Sequence, residues 1–388
     1  MHRRQLLRLT ASAGLTLAVA PWLAACSSSS TSSPTPGPTG GAGPALPPAS
    51  FAGYGPLGPP DANGLRLPAG FVSRVIATSG EEVAGTGYVW PPNPDGGATF
   101  DTGDGGWIYV ANSETPNGAG GASMVRFDRD GTVVEARSIL SGTSLNCAGG
   151  ATPWGTWLSC EEFPGGRVHE CDPTGVTRAA VRPAMGTFTH EAAAVDPGGR
   201  AVYLTEDVTD GALYRFVPDA YPDLSSGRLE VLVERGGERS WVEVPDPSGE
   251  DRPTRDQVPG TVRFDGGEGI CFFAGSLFFT TKGDDRVWRY TPGTGALDVV
   301  YDGGGALSGV DNVTVSSTGD LYVAEDGGDM QVVLVSGERV EPVVEITGTT
   351  GSEVTGPAFS PDGTRLYLSS QRDPGRTYEV TGPWRHTA

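Results

Sequence analysis

Positive charge is scarce in this sequence of 388 residues. Its 27 Lys and Arg residues stand against 47 Asp and Glu residues, which gives a formal net charge of −20 at pH 7. Lys282 is the single lysine, and a GC-rich coding sequence explains that scarcity. A protein that binds nucleic acid needs a basic surface for the phosphate backbone. The charge balance therefore excludes a generic nucleic-acid-binding protein.

The sequence also lacks the composition of a helical or a disordered protein. It contains 59 glycines and 32 prolines, which are unfavourable inside helices. Hydrophobic residues make up 37% of the chain, which is too many for disorder throughout. We therefore expect an all-β or loop-rich globular protein.

The N-terminal apolar run, residues 15–25, is too short to span a membrane. It follows Arg3 and Arg4, so residues 1–26 are predicted to form a twin-arginine export signal. The run ends in a lipoprotein cleavage pattern, which predicts lipidation of Cys26; an ordinary signal cleaved without lipid is the alternative. We expect an exported protein on the periplasmic or outer cell surface, with membrane contact only through that lipid.

The segment after the signal has the composition of a linker. Residues 27–55 are rich in Ser, Thr, Pro and Gly and are predicted to form a flexible tether. The folded domain is predicted to span residues 56–385.

Cysteine is also sparse, with four residues beyond Cys26. They are Cys147, Cys160, Cys171 and Cys271. In an oxidising compartment they allow two disulfides in three connectivities. The loop between Cys160 and Cys171 is the shortest, which favours one bridge there.

A β-strand pattern centred on an aromatic residue recurs through the domain. The aromatic residues are Tyr109, Trp157, Tyr203, Phe279, Tyr322 and Tyr367. Their spacings of 48, 46, 76, 43 and 45 residues define a repeat with one insertion. This period is typical of four-stranded propeller blades. We predict a β-propeller of six blades, one of them elaborated by strand patterns at residues 229–234 and 241–244.

Each repeat has a short apolar run before the aromatic strand, with a turn between them. An antiparallel hairpin returns the chain to the end where it began. The first strand of each repeat is the inner strand, which lines the propeller channel, and the aromatic strand is the returning strand. Residues before the inner strand and after the returning strand therefore lie at one mouth of the channel. Those positions hold Asn146, Cys147, His190, Glu191, Glu268, Asp311 and Asn312 before the inner strands, and Glu161, Glu162, Glu206, Asp207, Lys282, Asp284, Glu325 and Asp326 after the returning strands.

Crowded carboxylates repel one another unless protons or cations neutralise them. Ca²⁺ takes oxygen ligands from Asp, Glu and Asn and suits such a mouth. The Cys147 thiolate favours a softer metal such as iron or zinc. Two alternatives stay open: the acidic pairs are solvated strand ends, and Cys147 is a buried or bridged cysteine. His190 is expected to be a hydrogen-bonding neighbour of the site.

The segment from Asn146 to Glu162, NCAGGATPWGTWLSCEE, resembles the signature of PhoX-type bacterial alkaline phosphatases. Further matching elements lie at residues 189–192, 205–207, 267–269, 311–313 and 324–326, and the resemblance extends from about Pro56 to Trp384. It implies a β-propeller, exported by the twin-arginine route, that hydrolyses phosphate monoesters with an iron pair and several calcium ions.

The resemblance also implies roles for individual residues. Cys147 would be the thiolate shared by two Fe³⁺ ions, with Glu191 and Glu268 as iron or mixed iron and calcium ligands. The Ca²⁺ sites would be completed by Asp207, Asp311, Asn312, Glu325 and Asp326. Cys147, Glu191, Glu268 and Lys282 are the predicted catalytic residues. Trp154 and Trp157 are expected to pack around the signature loop.

The chain departs from the family at one position. Where the phosphatases carry Arg-Pro-Glu-Gly, this chain has Gly266-Gly267-Glu268-Gly269. The phosphate-clamping arginine is thus replaced by Gly266. Candidate substitutes are Lys282, Arg263, Arg286 and Arg372. Lys282 is favoured because it follows a returning strand, and pairing with Asp284 or Asp285 is its alternative role.

Two other functions remain open beside phosphatase activity. The missing arginine favours a calcium-dependent lactonase or phosphodiesterase-like propeller hydrolase. A noncatalytic surface-binding propeller is the other alternative, because a fold does not fix a function. The expected partner is a small-molecule phosphate ester, and we expect a monomer.

Overall fold

The computed structural model describes residues 51–349, 351–372 and 374–386. The predicted signal, the lipidation site Cys26 and residues 27–50 of the tether lie outside these ranges. Phe51 and Tyr54, at the end of the predicted tether, pack edge to face. Tyr54 also contacts the Trp384 ring and bonds the Tyr322 hydroxyl at 2.8 Å. The packed domain therefore includes Phe51 and Tyr54.

Six antiparallel sheets form the blades of a β-propeller, which confirms the predicted fold class. The first two strands of the chain, β1 (Leu65–Arg66) and β2 (Val72–Thr78), each lie at the outer edge of a blade. Blade 1 contains β3 (Pro94–Asp101), β4 (Trp107–Ser113), β5 (Gly120–Phe127) and β6 (Val133–Thr143). Blade 2 contains β7 (Asn146–Ala151), β8 (Trp157–Glu161), β9 (Val168–Cys171) and β10 (Ala180–Val181).

Blade 3 is the elaborated blade, as predicted. It contains β11 (His190–Asp196), β12 (Ala201–Glu206), β13 (Leu213–Ala220), β14 (Asp223–Arg235) and β15 (Glu238–Glu243). The predicted extra strand patterns lie in β14 and at β15. Blade 4 contains β16 (Gly267–Phe273), β17 (Ser276–Thr281), β18 (Arg286–Thr291) and β19 (Ala296–Asp302).

Each of the last two blades includes one of the N-terminal strands. Blade 5 contains β20 (Val310–Val315), β21 (Leu321–Glu325), β22 (Gln331–Ser336) and β23 (Arg339–Ile346), with β1 added at its outer edge. Blade 6 contains β24 (Val354–Phe359), β25 (Arg365–Ser370) and β26 (Arg376–Thr381), and β2 supplies its outermost strand. β2 therefore completes the last blade and closes the ring.

The core lies between the blades, where one face of each sheet packs against the next. All six aromatic residues of the repeat lie on the second strand of a blade and are buried. The inner strands β3, β7, β11, β16, β20 and β24 each contact their neighbours in a closed ring around the channel. Two short 3₁₀ helices, Pro183–Met185 and Thr254–Asp256, are the only helices among the described residues. Neither has the length or the hydropathy to cross a membrane.

The expectation of a bridge between Cys160 and Cys171 is wrong in this structure. All four cysteines within the described ranges are free. Cys160 packs with Leu158 and Val168 on one face of blade 2. Cys171 pairs in register with Trp157 and packs with it on the opposite face. Side chains on opposite faces of a sheet point apart, so these two thiols cannot meet.

Candidate metal centre

Each inner strand carries a β-bulge near its start. The ladder is irregular between Pro94 and Gly97, Asn146 and Gly149, His190 and Ala193, Gly267 and Ile270, Val310 and Val313, and Thr355 and Ala358. A bulge locally re-aims a side chain. The second residue of each inner strand lies in or next to its bulge, and together these residues form the inner ring: Asp95, Cys147, Glu191, Glu268, Asp311 and Thr355.

A second set of residues follows the second strand of each blade. The final residues of these strands pair with the starts of the inner strands. The residues immediately after them form the outer ring: Glu114, Glu162, Asp207, Lys282, Asp326 and Gln371. The predicted mouth is therefore present, with two polar residues from every blade.

Side chains of the two rings, with Glu353, make three groups of metal-ligand atoms. In each group the ligand atoms lie within 4.8 Å of one another. The groups are Cys147 with Glu162 and Glu191, Glu191 with Glu268 and Asp311, and Asp95 with Glu114 and Glu353. Glu191 belongs to two groups and so connects the thiol to the group that has only oxygen ligands.

Burial makes the negative charge of these groups costly. Burial and the neighbouring Glu268 raise the pKa of Glu191 well above its ordinary value. Burial, followed by Asp207, raises the pKa of Glu162 to about 8. Burial also raises the pKa of the Cys147 thiol well above its ordinary value. Without cations, the centre therefore holds protons that it would lose on binding a metal.

The Glu191 carboxylate provides a test of whether metal ions fit here. The side chain is fully buried, and neither of its oxygens has a hydrogen-bond partner among the described residues. A buried carboxylate without partners is strongly unfavourable unless it is protonated or bound to a cation. Oxygen ligands suit Ca²⁺ or Fe³⁺, and the Cys147 thiolate suits iron. The residues therefore fit the metals that the family resemblance implies.

Lys282 lies among the acidic side chains of the mouth. Its Nζ is 2.9 Å from Glu268 Oε1, 3.2 Å from Asp326 Oδ2 and 3.9 Å from Asp207 Oδ2. Burial acts to lower the pKa of Lys282, but Glu268 and Asp311 outweigh it and raise that pKa, so the amine stays charged. The alternative pairing with Asp284 or Asp285 is not found, because Asp284 pairs with Arg286 and Asp285 accepts the Gly309 N–H.

Gly266 stands directly beside Lys282. Its φ of +69° favours glycine, and a Cβ built on it would lie 3.1 Å from Asp207 Oδ1 and 3.5 Å from Lys282 Cβ. The Lys282 N–H also donates to the Gly266 carbonyl at 2.8 Å. The lysine side chain therefore starts close to the point from which a side chain at position 266 would start.

Two of the other candidate substitutes for the arginine are bound away from the mouth, whereas Arg372 lies at it. Arg263 pairs with Asp256 and Arg286 pairs with Asp302. Arg372 lies 2.7 Å from Glu353, which forms one of the three groups of ligands with Asp95 and Glu114.

The structure separates the two members of each acidic pair. Glu325, predicted as a ligand, accepts the Ser308 and Gln331 N–H groups, while Asp326 contacts Lys282 at the mouth. Glu206 likewise pairs with Arg255 at 2.9 Å, whereas Asp207 faces Lys282. The first acid of each pair thus anchors a loop, and the second faces the channel, because successive strand residues point to opposite sides.

Asn312, also predicted as a ligand, braces the inner ring through its amide. Its Nδ2 donates to Asp311 Oδ1 at 3.0 Å, and its Oδ1 accepts the Gly356 N–H at 2.8 Å. His190 is a neighbour, with Nε2 3.1 Å from the Gly186 carbonyl and its ring stacked on Phe188.

The signature tryptophans have structural partners. Trp157 Nε1 donates to Asn112 Oδ1, and Trp154 Nε1 donates to Glu170 Oε1. Both tryptophans therefore hold the signature segment, as expected.

Asp95, Glu114 and Glu353 were missed by the sequence analysis. All three belong to the third acidic group, where Gln371 Nε2 donates to Asp95 and Glu114. For Asp95 the sequence does contain a signal, because this residue stands before the aromatic strand of blade 1 as Glu191 does in blade 3. Extending the repeat upstream of Tyr109 would have found it.

Comparisons with known proteins agree with this architecture. The family model of alkaline phosphatase PhoX matches residues 116–172, 164–289 and 278–375. The structure of Pseudomonas fluorescens PhoX in complex with vanadate, a transition state analogue, has a TM-score of 0.71 at 17% identity, covering 84% of this chain and 97% of that one. A gluconolactonase from Xanthomonas campestris has a TM-score of 0.53 at 14% identity, covering 85% and 98%. Because these sequence identities are low, the similarity to the two structures shows only that the chain shares their fold. No curated protein matches the sequence.

Proposed function

Because the chain belongs to the alkaline phosphatase PhoX family, we propose that it hydrolyses phosphate monoesters at a metal centre in the mouth of the propeller channel. The observation that carries the proposal is the Glu191 carboxylate, fully buried without a hydrogen-bond partner and shared by two groups of ligands. The vanadate in the Pseudomonas PhoX structure supports phosphoryl chemistry in that relative.

The donor atoms suggest which metal each group holds. Cys147, Glu162 and Glu191 would hold Fe³⁺, because they combine a thiolate with carboxylates. Glu268 and Asp311, with Glu191, would extend the centre toward Fe³⁺ or Ca²⁺. Asp95, Glu114 and Glu353 offer only oxygen ligands and suit Ca²⁺.

The bound cations would polarise a phosphoryl oxygen and neutralise the charge that develops on it. The chain's own residues position the ester. Asp207 and Asp326 hold Lys282 at the open side of the centre, where an ammonium group can bind a phosphate oxygen. The neighbouring strands bury Cys147 and Glu191 and keep bulk water from these ligands.

A test combines metal analysis with substrate assays. The purified protein should contain iron and calcium and release phosphate from an aryl phosphate between pH 6 and 10. Glu238→Gln, an exposed change on β15, is the control and should keep full activity. Iron-containing protein without phosphate release at any of these pH values would refute the proposal.

A second candidate function is lactone or phosphodiester hydrolysis with calcium alone. Gly266 at the arginine position favours it, and the Xanthomonas gluconolactonase shares the propeller fold. The same assay should include a lactone and an aryl phosphodiester. Activity on either of them in protein containing calcium but no iron would favour this candidate.

We also propose that residues 1–26 direct twin-arginine export and that Cys26 is lipidated. Mass spectrometry of the membrane fraction would show the lipid on Cys26, and a Cys26→Ala protein should leave that fraction.

A further inference from the structure

Lys282 and a metal ion use the same carboxylate. Glu268 belongs to the group with Glu191 and Asp311, and its Oε1 is also 2.9 Å from the Lys282 ammonium. A cation held by Glu268 would lie within a few ångströms of this ammonium and would repel it. The two positive charges therefore compete for one buried side chain.

The surroundings give the displaced ammonium one direction to move. Glu268 is 2% exposed, whereas the side chains of Asp326 and Asp207 are 34% and 22% exposed. Both aspartates already lie within 4 Å of Lys282 Nζ on the open side of the mouth. Moving away from Glu268 therefore brings the ammonium toward the side from which a substrate enters.

We propose that Lys282 binds the substrate only after metal ions have occupied the centre. In the metal-free chain its ammonium neutralises Glu268, and in the loaded chain it is released toward the outer ring to bind an oxygen of the phosphate ester. The substrate contact rests on the proposed phosphatase function, while the competition for Glu268 does not. A phosphate contact from Lys282 would also compensate for Gly266 at the arginine position, since Lys282 Cβ lies only 3.5 Å from a Cβ built there.

Competition predicts effects of opposite sign for one substitution. Lys282→Gln removes the competitor, so the full chain, stripped of metal, should bind Ca²⁺ at least about 5-fold more tightly, as expected for coupled sites. The same variant, once loaded, should bind inorganic phosphate more weakly by a similar factor. Lys282→Arg should keep most of the phosphate affinity. A lysine with only a structural role would shift neither affinity in this pattern, and equal Ca²⁺ affinity in wild type and Lys282→Gln would overturn the proposal.

The single lysine permits a direct readout of its release. Acetylation of Lys282, measured by peptide mass spectrometry, should be slow in the metal-free chain and faster after loading with Fe³⁺ and Ca²⁺. Inorganic phosphate should slow it again in the loaded chain alone. Acetylation that does not respond to metal refutes the release. A response to metal without protection by phosphate refutes the substrate contact. Failure of the wild-type protein to hydrolyse any ester refutes the proposed function and leaves the metal competition as measured.

Discussion

The two ends of the propeller channel are built by the same six inner strands but have opposite chemistry. At the bulges the strands present Asp95, Cys147, Glu191, Glu268 and Asp311, which are buried acids and a thiol. Beyond the bulges the same strands line a cavity of about 970 Å³ with residues such as Ala194, Phe272, Val315 and Phe359. The difference shows that the strands supply a common frame, and that the residues of the inner and outer rings determine the chemistry of the mouth.

Small residues separate the two ends. The position after the inner ring is Gly96, Ala148, Ala192, Gly269 or Gly356 in five blades. A Cβ built on Gly269 would lie 2.5 Å from the Val313 nitrogen and 2.7 Å from Asn312 Cα, both on the next strand. Neighbouring strands can therefore approach closely just behind the ligands, which holds the ligand positions fixed.

The largest effect should come from removing one charge at the metal end. Glu191→Gln keeps the shape of a side chain shared by two ligand groups. Activity on an aryl phosphate should fall by about 10³-fold, in the range seen when transition-state stabilisation is lost. Steady-state kinetics with measured metal content provide the test. Ala194→Ser, beyond the bulge of the same strand, should stay within twofold of wild type, and a comparable loss there would break the comparison between the two ends.

Two cysteines in the same channel allow the next comparison. Cys147→Ser should lower iron content sharply, with affinity falling by at least about 10–100-fold, because removing a direct ligand should cost at least as much as disturbing its supports. Cys271→Ser, in the lining of the far cavity, should leave iron content unchanged. Iron and calcium are measured by elemental analysis, and circular dichroism checks the fold of both variants. Equal iron content in the two variants would remove Cys147 from the centre.

Removing the metal ions with a chelator should make the stability of the protein depend on pH, because the buried acids of the centre then lack cations. In the metal-free chain, burial raises the pKa of Glu353 to about 9 from an ordinary value of 4.5. The folded state then binds more protons than the unfolded state between these values, so its stability falls as pH rises from about 4.5 to 9. The slope is about 1.4 kcal/mol per pH unit for each such carboxyl. Thermal unfolding of the chelated protein should show this decline, and the metal-loaded protein should show much less. A metal-free protein that gains stability over this range would contradict the assignment.

The smallest effect concerns the close strand approach. Gly269→Ala should lower the free energy of unfolding by about 1–3 kcal/mol, because the added methyl overpacks the contact with Asn312 and Val313. Gly293→Ala is the matched control, since a Cβ there meets no atom within 4 Å and the backbone has no positive φ. Urea unfolding measures both variants. Equal stability would show that the strands can separate without loss.

The sequence predicted the fold well because its signal is periodic. Tyr109, Tyr203 and Tyr322 mark the same strand in different blades, and the spacing between them revealed both the blade length and the insertion. The position of the mouth followed from hairpin geometry alone. These features depend on local pattern and topology, which a single sequence contains.

The details of the site depended on side-chain direction, which the pattern did not contain. Glu325 and Asp326 are adjacent acids, yet one binds backbone N–H groups and the other faces Lys282. Cys160 and Cys171 are close in sequence but lie on opposite faces of blade 2. Glu353 joins Asp95 across the closure between the last blade and the first, a contact between distant parts of the chain that no local pattern indicates.

The closure of blade 6 by β2 has a consequence for how the chain acquires its structure. β2 is synthesised long before its partner β26, since Val72 pairs with Thr381. Until β26 has been made, the nascent chain therefore carries an unpaired strand with its backbone groups open to other chains. Contacts this distant in sequence also form slowly. The ring therefore cannot close before β26 is made, and a chain truncated before β26 would leave β2 exposed as a site for aggregation.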